Sequence, residues 1–233
     1  MERKKTVNYE KLKILTLGNS KVGKTCFIYK LTDRFYDLNC ISTHGIDYVR
    51  KIVNHPNGNK YSVMFIDTAG QEKYRSVSLN CIKKCDGILL MYDITDNTSF
   101  ESIPTWMQNI KDCKGLDFPI ILCGNKYDLE NKRKIPKKDG ESLAKKFGIS
   151  FFETSNKDGT NIENAGNELI NQIIKMIKKK IENILNEFEI IDMNTLAPDI
   201  KELKNDTFEL DINNLKRTKT RKSSLKKGNS LCS

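Results

Sequence analysis

A glycine-rich segment that ends in lysine and threonine, GNSKVGKT, occupies residues 18–25. It follows the apolar run KILTL and precedes FIYKL, so it connects a predicted strand to a predicted helix. Glycine lets the backbone turn its N–H groups toward an anion, and the start of the helix adds unsatisfied donors. The spacing G-x-x-x-x-G-K-[ST] therefore predicts a phosphate-binding loop, with Lys24 on the terminal phosphates of a nucleotide and Thr25 on Mg²⁺.

A second polar segment, NKYD at residues 125–128, follows the apolar run PIILCG. Parallel sheets bind ligands at the carboxyl ends of their strands, so the Asp128 carboxylate can meet the edge of a base there. Guanine offers two donors on one edge, whereas adenine would leave the carboxylate unpaired. The segment favours guanine, and an ATPase or kinase remains the alternative if the phosphate loop is considered alone.

Two further segments carry groups suited to a metal ion and to hydrolysis. In FIDTAGQEKYRS, Asp67 ends a predicted strand and can position Mg²⁺, while Gly70 can present its N–H to a γ-phosphate. Gln71 can orient an attacking water, and STHGIDY places Thr43 to cap the metal. None of these side chains is a strong base or nucleophile, so we expect slow hydrolysis without a partner.

Short β-rich runs alternate with helical ones from residue 11 onward. The predicted strands are KLKILTL, GILLMYD, PIILCGN and ISFFETS, with IDYVRKIV and YSVMFI forming an antiparallel hairpin around NHPNGNK. The predicted helices are TCFIYKL, SFESIPTWMQNIKDC, KKDGESLAKKFG and TNIENAGNELINQIIKMIKKK, the last of which IENILNEFEI could extend. This alternation predicts an α/β fold, a mostly parallel sheet with helices on both faces and one antiparallel edge strand.

The positive charge is concentrated near the end of the chain. The formal net charge is +10, and residues 216–227 supply seven positive charges without an acid, which leaves about +3 elsewhere. A mildly basic folded part argues against a nucleic-acid-binding face. We predict an N-terminal extension at 1–9, a domain at 10–180, and a helix extension with a flexible basic tail at 181–233.

The seven cysteines have no paired spacing, and neither histidine lies near them at a zinc-ligand interval. We interpret them as reduced thiols of a cytoplasmic protein. No apolar run approaches the roughly 18 residues of a spanning helix, and we do not expect a secretory signal.

In order and separation, GNSKVGKT, STHGID, DTAGQE, NKYD and ETSNK resemble the motifs of Ras-superfamily small GTPases. ISTHGIDY, DTAGQEKYRS, MYDITDNTSF and WMQNIK are similar to the Rab branch, and the resemblance covers about residues 10–178. It implies a six-stranded GTPase fold and a monomeric GTP-hydrolysing switch of vesicle traffic. The implied partners are an exchange factor, an activating protein, effectors and the cytosolic face of endomembranes.

The resemblance also implies roles for individual residues. The phosphates would contact Ser20, Lys21, Val22, Gly23, Lys24, Thr25, Cys26 and Gly70. Mg²⁺ would be held by Thr25, Thr43 and Asp67, and Gln71 would be the catalytic residue. The base would contact Tyr36, Asn125, Lys126, Asp128, Ser155, Asn156 and Lys157.

Several residues depart from the superfamily pattern. Lys21 replaces a small residue, and we interpret it as facing solvent; Asn156 replaces alanine but keeps its backbone N–H for guanine. Ile66, His44 and the pair Cys81-Ile82 replace other residues at positions that we interpret as effector-recognition surface. These changes leave two alternatives, a nucleotide-locked adaptor with little hydrolysis and a small GTPase of another branch.

The C-terminal sequence GNSLCS fits neither common prenylation pattern, although Cys232 could still carry a lipid. The basic run LKRTKTRKSSLKK could bind an anionic membrane, at about 1 kcal/mol per charge near the surface. A solvated tail is the equal alternative.

Overall fold

The computed structural model describes residues 10–33, 46–68, 75–115 and 117–189. The chain divides into two units, residues 1–181 and 182–233, and the sheet belongs to the first. The strands are β1 (Glu10–Leu17), β2 (Ile46–Asn54), β3 (Lys60–Thr68), β4 (Gly87–Asp93), β5 (Ile120–Asn125) and β6 (Ser150–Thr154). The helices are α1 (Lys24–Leu31), α2 (Arg75–Lys84), α3 (Asn97–Glu101), α4 (Ile103–Lys114), α5 (Lys137–Phe147) and α6 (Ile162–Glu189), with a 3-10 helix at Tyr127–Lys132.

The strands of the described residues form one sheet in the order β2-β3-β1-β4-β5-β6. Every neighbouring pair is parallel except β2 with β3, whose antiparallel register runs from Ile46↔Thr68 to Asn54↔Lys60. The turn between them is closed by a hydrogen bond from the His55 amide to the Asn59 carbonyl at 2.9 Å. The predicted six-stranded, mostly parallel sheet with one antiparallel edge strand is therefore confirmed.

The centre of the sheet is buried because helices cover both of its faces. Every residue of β4 and β5 is buried, which explains their continuous apolar sequences. On one face α1 and α6 contribute Phe27 and Leu169 to the core. On the other face α2, α4 and α5 contribute Ile82, Ile103 and Ala144. No helix of the described residues is long and apolar enough to cross a membrane.

The helices differ from the prediction at three places. The single helix predicted over SFESIPTWMQNIKDC is two helices, α3 and α4, that separate at Ser102. The Asp96 carboxylate caps the first by accepting from the Thr98 amide at 3.1 Å, and Pro104 lies in the opening turn of the second. Neither α2 nor the 3-10 helix was predicted, because their few apolar residues give no clear helical period.

Three residues that we interpreted as effector-recognition surface are instead buried. Ile66 on β3 is 4% exposed, and Cys81 and Ile82 on α2 are 7% and 0% exposed. All three belong to the core that α2 and α4 share with the sheet. The interpretation was wrong because α2, whose inner face covers this part of the sheet, was not predicted. His44 lies outside the described residues.

Candidate guanine-nucleotide site

The ends of five parallel strands bring the predicted segments together. The loop 18–23 follows β1, and Asp67 lies near the end of β3. Asp93, Asn125 and Thr154 end β4, β5 and β6. Because these strands run in one direction, their carboxyl ends form the same edge of the sheet, where α/β proteins bind ligands.

The phosphate loop requires glycine at both of its ends. Gly18 has a φ of 136°, and a Cβ there would lie 2.1 Å from the Met91 carbonyl oxygen. Gly23 has a φ of 101°, and a Cβ there would lie 2.4 Å from Nδ2 of Asn125. Lys21 has a φ of 65°, which is strained for a lysine, and it is exposed, as its interpretation as a solvent-facing residue requires.

Lys24 places a buried cation inside this loop. Its side chain is 5% exposed, and Nζ donates to the carbonyl oxygens of Gly18 at 2.9 Å and Asn19 at 2.8 Å. Burial lowers the pKa of the Lys24 ammonium to about 8, and the neighbouring Asp67 carboxylate opposes this shift. A buried ammonium that backbone carbonyls hold beside the loop is suited to bind a phosphate.

Thr25 and Asp67 offer two oxygen ligands for a metal ion. The Thr25 hydroxyl donates to Oδ2 of Asp67 at 2.5 Å, and Oδ1 of Asp67 accepts from Thr16 at 3.3 Å. Mg²⁺ prefers such oxygens and usually combines one or two protein ligands with water and phosphates. The described residues contain no group of three or more His, Cys, Asp or Glu that could hold a metal.

Asn125 ties the phosphate loop to the strands that carry the base-binding segments. The residue is fully buried, and its Nδ2 donates to the Val22 carbonyl at 2.7 Å. Its Oδ1 accepts from the Thr154 hydroxyl at 3.1 Å. With both ends of its amide bonded, Asn125 fixes the separation between the loop predicted to bind phosphate and the strands predicted to carry the base-binding residues.

Asp128 is oriented by a residue of the next loop. Ser155 is fully buried, and its hydroxyl donates to Oδ1 of Asp128 at 2.8 Å. Beside it, Lys126 has a φ of 68° and its ammonium pairs with the Asp93 carboxylate at 2.6 Å. The carboxylate predicted to select guanine is therefore held by a hydrogen bond, and the preceding lysine by an ion pair.

The structure places the predicted residues as follows. Val22, Lys24, Asp67, Asn125, Ser155 and Asn156 are buried, Ser20, Gly23, Thr25, Cys26, Lys126 and Asp128 are half-buried, and Lys21 and Lys157 are exposed. Tyr36, Thr43, Gly70, Gln71 and Cys232 lie outside the described residues.

Sequence reasoning missed two supporting residues, Asp93 and Asn19. Asp93 ends β4 at the carboxyl edge of the sheet, and its place after an apolar strand could have marked it as a site residue. Asn19 gave no signal, because its partners are far away in the sequence: Nδ2 donates to the Ser102 hydroxyl at 2.9 Å, and Oδ1 accepts from the Trp106 indole at 3.1 Å.

Comparison with known proteins decides between the nucleotide-binding families. The model of the Ras family matches residues 13–175. The chain belongs to the Ras family. It is 37% identical over 179 residues to Ras-related protein Rab-8B of Pongo abelii. The aligned residues are 77% of this chain and 86% of the Rab-8B chain. It is 39% identical over 178 residues to Rab-8A of Gallus gallus, with coverages of 76% and 85%.

Rab-13 of Canis lupus familiaris is 41% identical over 162 residues, with coverages of 70% and 79%. These relatives place the chain in the Rab branch of the Ras superfamily. As a Rab-type small GTPase it binds guanine nucleotide, hydrolyses GTP and regulates membrane traffic. Its partners are proteins that regulate it and effector proteins.

Proposed function

We propose that this Rab-type protein holds GTP or GDP with Mg²⁺ across the carboxyl edge of its sheet, and that hydrolysis there switches it between two states. The observation that carries the proposal is the bond from Asn125 Nδ2 to the Val22 carbonyl. It joins the phosphate loop directly to the base-binding strand, so one ligand with a phosphate and a purine can occupy both.

Each part of the ligand has its own set of residues. The phosphates bind Ser20, Lys21, Val22, Gly23, Lys24, Thr25, Cys26 and Gly70. The metal binds Thr25, Thr43 and Asp67, and the base binds Tyr36, Asn125, Lys126, Asp128, Ser155, Asn156 and Lys157. The contacts Thr25–Asp67 and Ser155–Asp128 support the metal and base assignments.

Gln71 is the proposed catalytic residue, since it can orient the attacking water. Small GTPases turn over at about 10⁻⁴ s⁻¹ without the arginine of an activating protein. Single-turnover hydrolysis of GTP by the full chain tests the role. We expect slow hydrolysis by the wild type and a further loss in Gln71→Ala; equal rates would overturn the assignment. The comparisons do not favour the alternative function, a nucleotide-locked adaptor with little hydrolysis.

Mg²⁺ is proposed to clamp the phosphates through Thr25 and Asp67. Removing the ion with excess EDTA should accelerate release of GDP from the wild type. In Asp67→Ala release should already be fast and respond less to EDTA. Release from the wild type that is insensitive to EDTA would contradict a metal at this position.

The basic segment 216–227 is proposed to bind the anionic cytosolic face of endomembranes as a peripheral contact. The full chain should cosediment with vesicles rich in phosphatidylserine and lose this binding in high salt. Cosedimentation that is unchanged by deletion of residues 216–233 would count against the proposal. Mass spectrometry of the C-terminal peptide from native cells decides whether Cys232 carries a lipid.

A further inference from the structure

Asn156 makes a side-chain contact across the site that its predicted role does not include. The residue lies two positions after β6 and is 7% exposed. Its Nδ2 donates to the Gly23 carbonyl at 2.9 Å, across 133 residues of sequence. The loop expected to touch the guanine is therefore bonded directly to the loop expected to touch the phosphates.

Two asparagine amides converge on the same glycine. A Cβ on Gly23 would lie 2.4 Å from Nδ2 of Asn125 and 2.6 Å from Nδ2 of Asn156. The two asparagines donate to consecutive backbone carbonyls, Asn125 to that of Val22 and Asn156 to that of Gly23. The close approach of both amides is compatible only with glycine at this position.

These bonds fix the direction of the backbone donors in the loop. In a trans peptide the C=O and N–H groups point in opposite directions, and the described residues contain no cis peptide bond. Asn125 holds the Val22 carbonyl. Asn156 holds the Gly23 carbonyl together with the Phe27 amide of α1 at 2.9 Å. The N–H groups of Gly23 and Lys24 therefore point away from the two asparagines. Accepting a hydrogen bond at the carbonyl also strengthens the donor on the same peptide.

The two asparagines differ in how firmly they are held. Asn125 is bonded at both ends of its amide. Oδ1 of Asn156 is buried and has no hydrogen-bond partner among the described residues. The Asn156 bond to Gly23 can therefore break without the loss of a second bond. Movement of the loop 155–157 would free the Gly23 carbonyl from Asn156, while Asn125 continues to hold Val22.

We propose that the Asn156 side chain is a positioning group that locks the base loop to the phosphate loop and slows the release of guanine nucleotide. This inference rests on the proposed function. It assigns to one amide a regulatory role, because a partner that shifts the loop 155–157 would break this bond first.

The test measures dissociation of a fluorescent GDP analogue from the full chain in Mg²⁺. Asn156→Ala removes the bond, and Asn156→Asp keeps the shape but removes the donor. We expect dissociation about three- to tenfold faster in Asn156→Ala, the effect of one net hydrogen bond, with an unchanged association rate. Dissociation should be accelerated at least as much in Asn156→Asp, because its carboxylate also repels the Gly23 carbonyl oxygen. Thermal unfolding without nucleotide should change little, because Asn156→Ala also removes the unpaired Oδ1.

Asn161→Gly is the matched control. It removes another asparagine amide, which donates to the Glu153 carbonyl at 2.9 Å, and glycine tolerates the φ of 54° at that position. Its dissociation rate should equal that of the wild type. The inference is overturned if both Asn156 variants release GDP at the wild-type rate, or if Asn161→Gly is accelerated equally. A wild type that does not retain GDP would refute the proposed function as well.

Discussion

At the scale of single residues, a hydroxyl controls the acid that is proposed to select guanine. Ser155 donates to Asp128 at 2.8 Å and is fully buried. We expect Ser155→Ala to weaken GDP binding about three- to tenfold, because the carboxylate loses one oriented bond. Asp128→Ala should weaken GDP binding about a hundredfold or more, since both guanine donors lose their acceptor.

Competition binding with labelled GDP measures both effects. Ser142→Ala, on the exposed side of α5, is the control and should bind as the wild type does. An unchanged GDP affinity in Ser155→Ala would show that this serine does not contribute to base binding.

The residues that could be predicted are those whose chemistry lies within one short segment. Lys24 and Thr25 follow from the spacing of a single loop, and Asp128 from a strand end. Asn19 could not be predicted, since its partners Ser102 and Trp106 are 83 and 87 residues away. Such a contact depends on where α4 packs, and no local pattern contains that information.

At the scale of elements, α5 packs closely on the sheet at Gly140. A Cβ on Gly140 would lie 2.4 Å from the Tyr92 hydroxyl and 2.7 Å from the Phe151 ring. Gly→Ala in a helix usually stabilises by about 1 kcal/mol. Here we expect Gly140→Ala to lower the free energy of unfolding by about 1–3 kcal/mol, because the added methyl overpacks this contact.

Tyr92→Phe should restore part of that loss in the double variant. It removes the atom nearest to the new methyl, and this hydroxyl is buried without a hydrogen-bond partner among the described residues. Chemical denaturation at constant GDP measures the free energies, with Lys138→Ala on the exposed side of α5 as control. A more stable Gly140→Ala variant would show that α5 lies farther from β4.

The link between α4 and the phosphate loop makes Trp106 a reporter of the bound nucleotide. It is the single tryptophan of the chain, and its indole donates to Asn19 at 3.1 Å. We expect its fluorescence to change on GDP release, and the change to be reduced in Asn19→Ala. Gln108→Ala on the same helix should respond as the wild type does. An undiminished change in Asn19→Ala would exclude coupling through this bond.

Elements with a complete local pattern were predicted well. The apolar strands and the hairpin turn follow from composition, and the predicted end of α5 at Gly148 matches its left-handed φ of 68°. α2 was missed, because its helical form depends on covering the sheet at Cys81 and Ile82 rather than on its own periodicity. The break at Ser102 was missed because the apolar pattern continues across it.

At the scale of the whole molecule, five parallel strands place segments from across the chain at one edge. The sheet and its covered faces could be predicted from the alternation of strands and helices. The contacts across the site could not, because they depend on the register between neighbouring strands. The bond from Asn125 to Val22 spans 103 residues and joins the two halves of the proposed ligand site.

Direct titration of the purified full chain with nucleotides in Mg²⁺ is the most direct test of the central claim. GDP and GTP should each bind far more tightly than micromolar, and ATP should compete at least about a thousandfold less well, because adenine leaves the Asp128 carboxylate unpaired. Affinities of micromolar or weaker for both guanine nucleotides, or equal competition by ATP, would contradict a guanine-nucleotide site at this edge of the sheet.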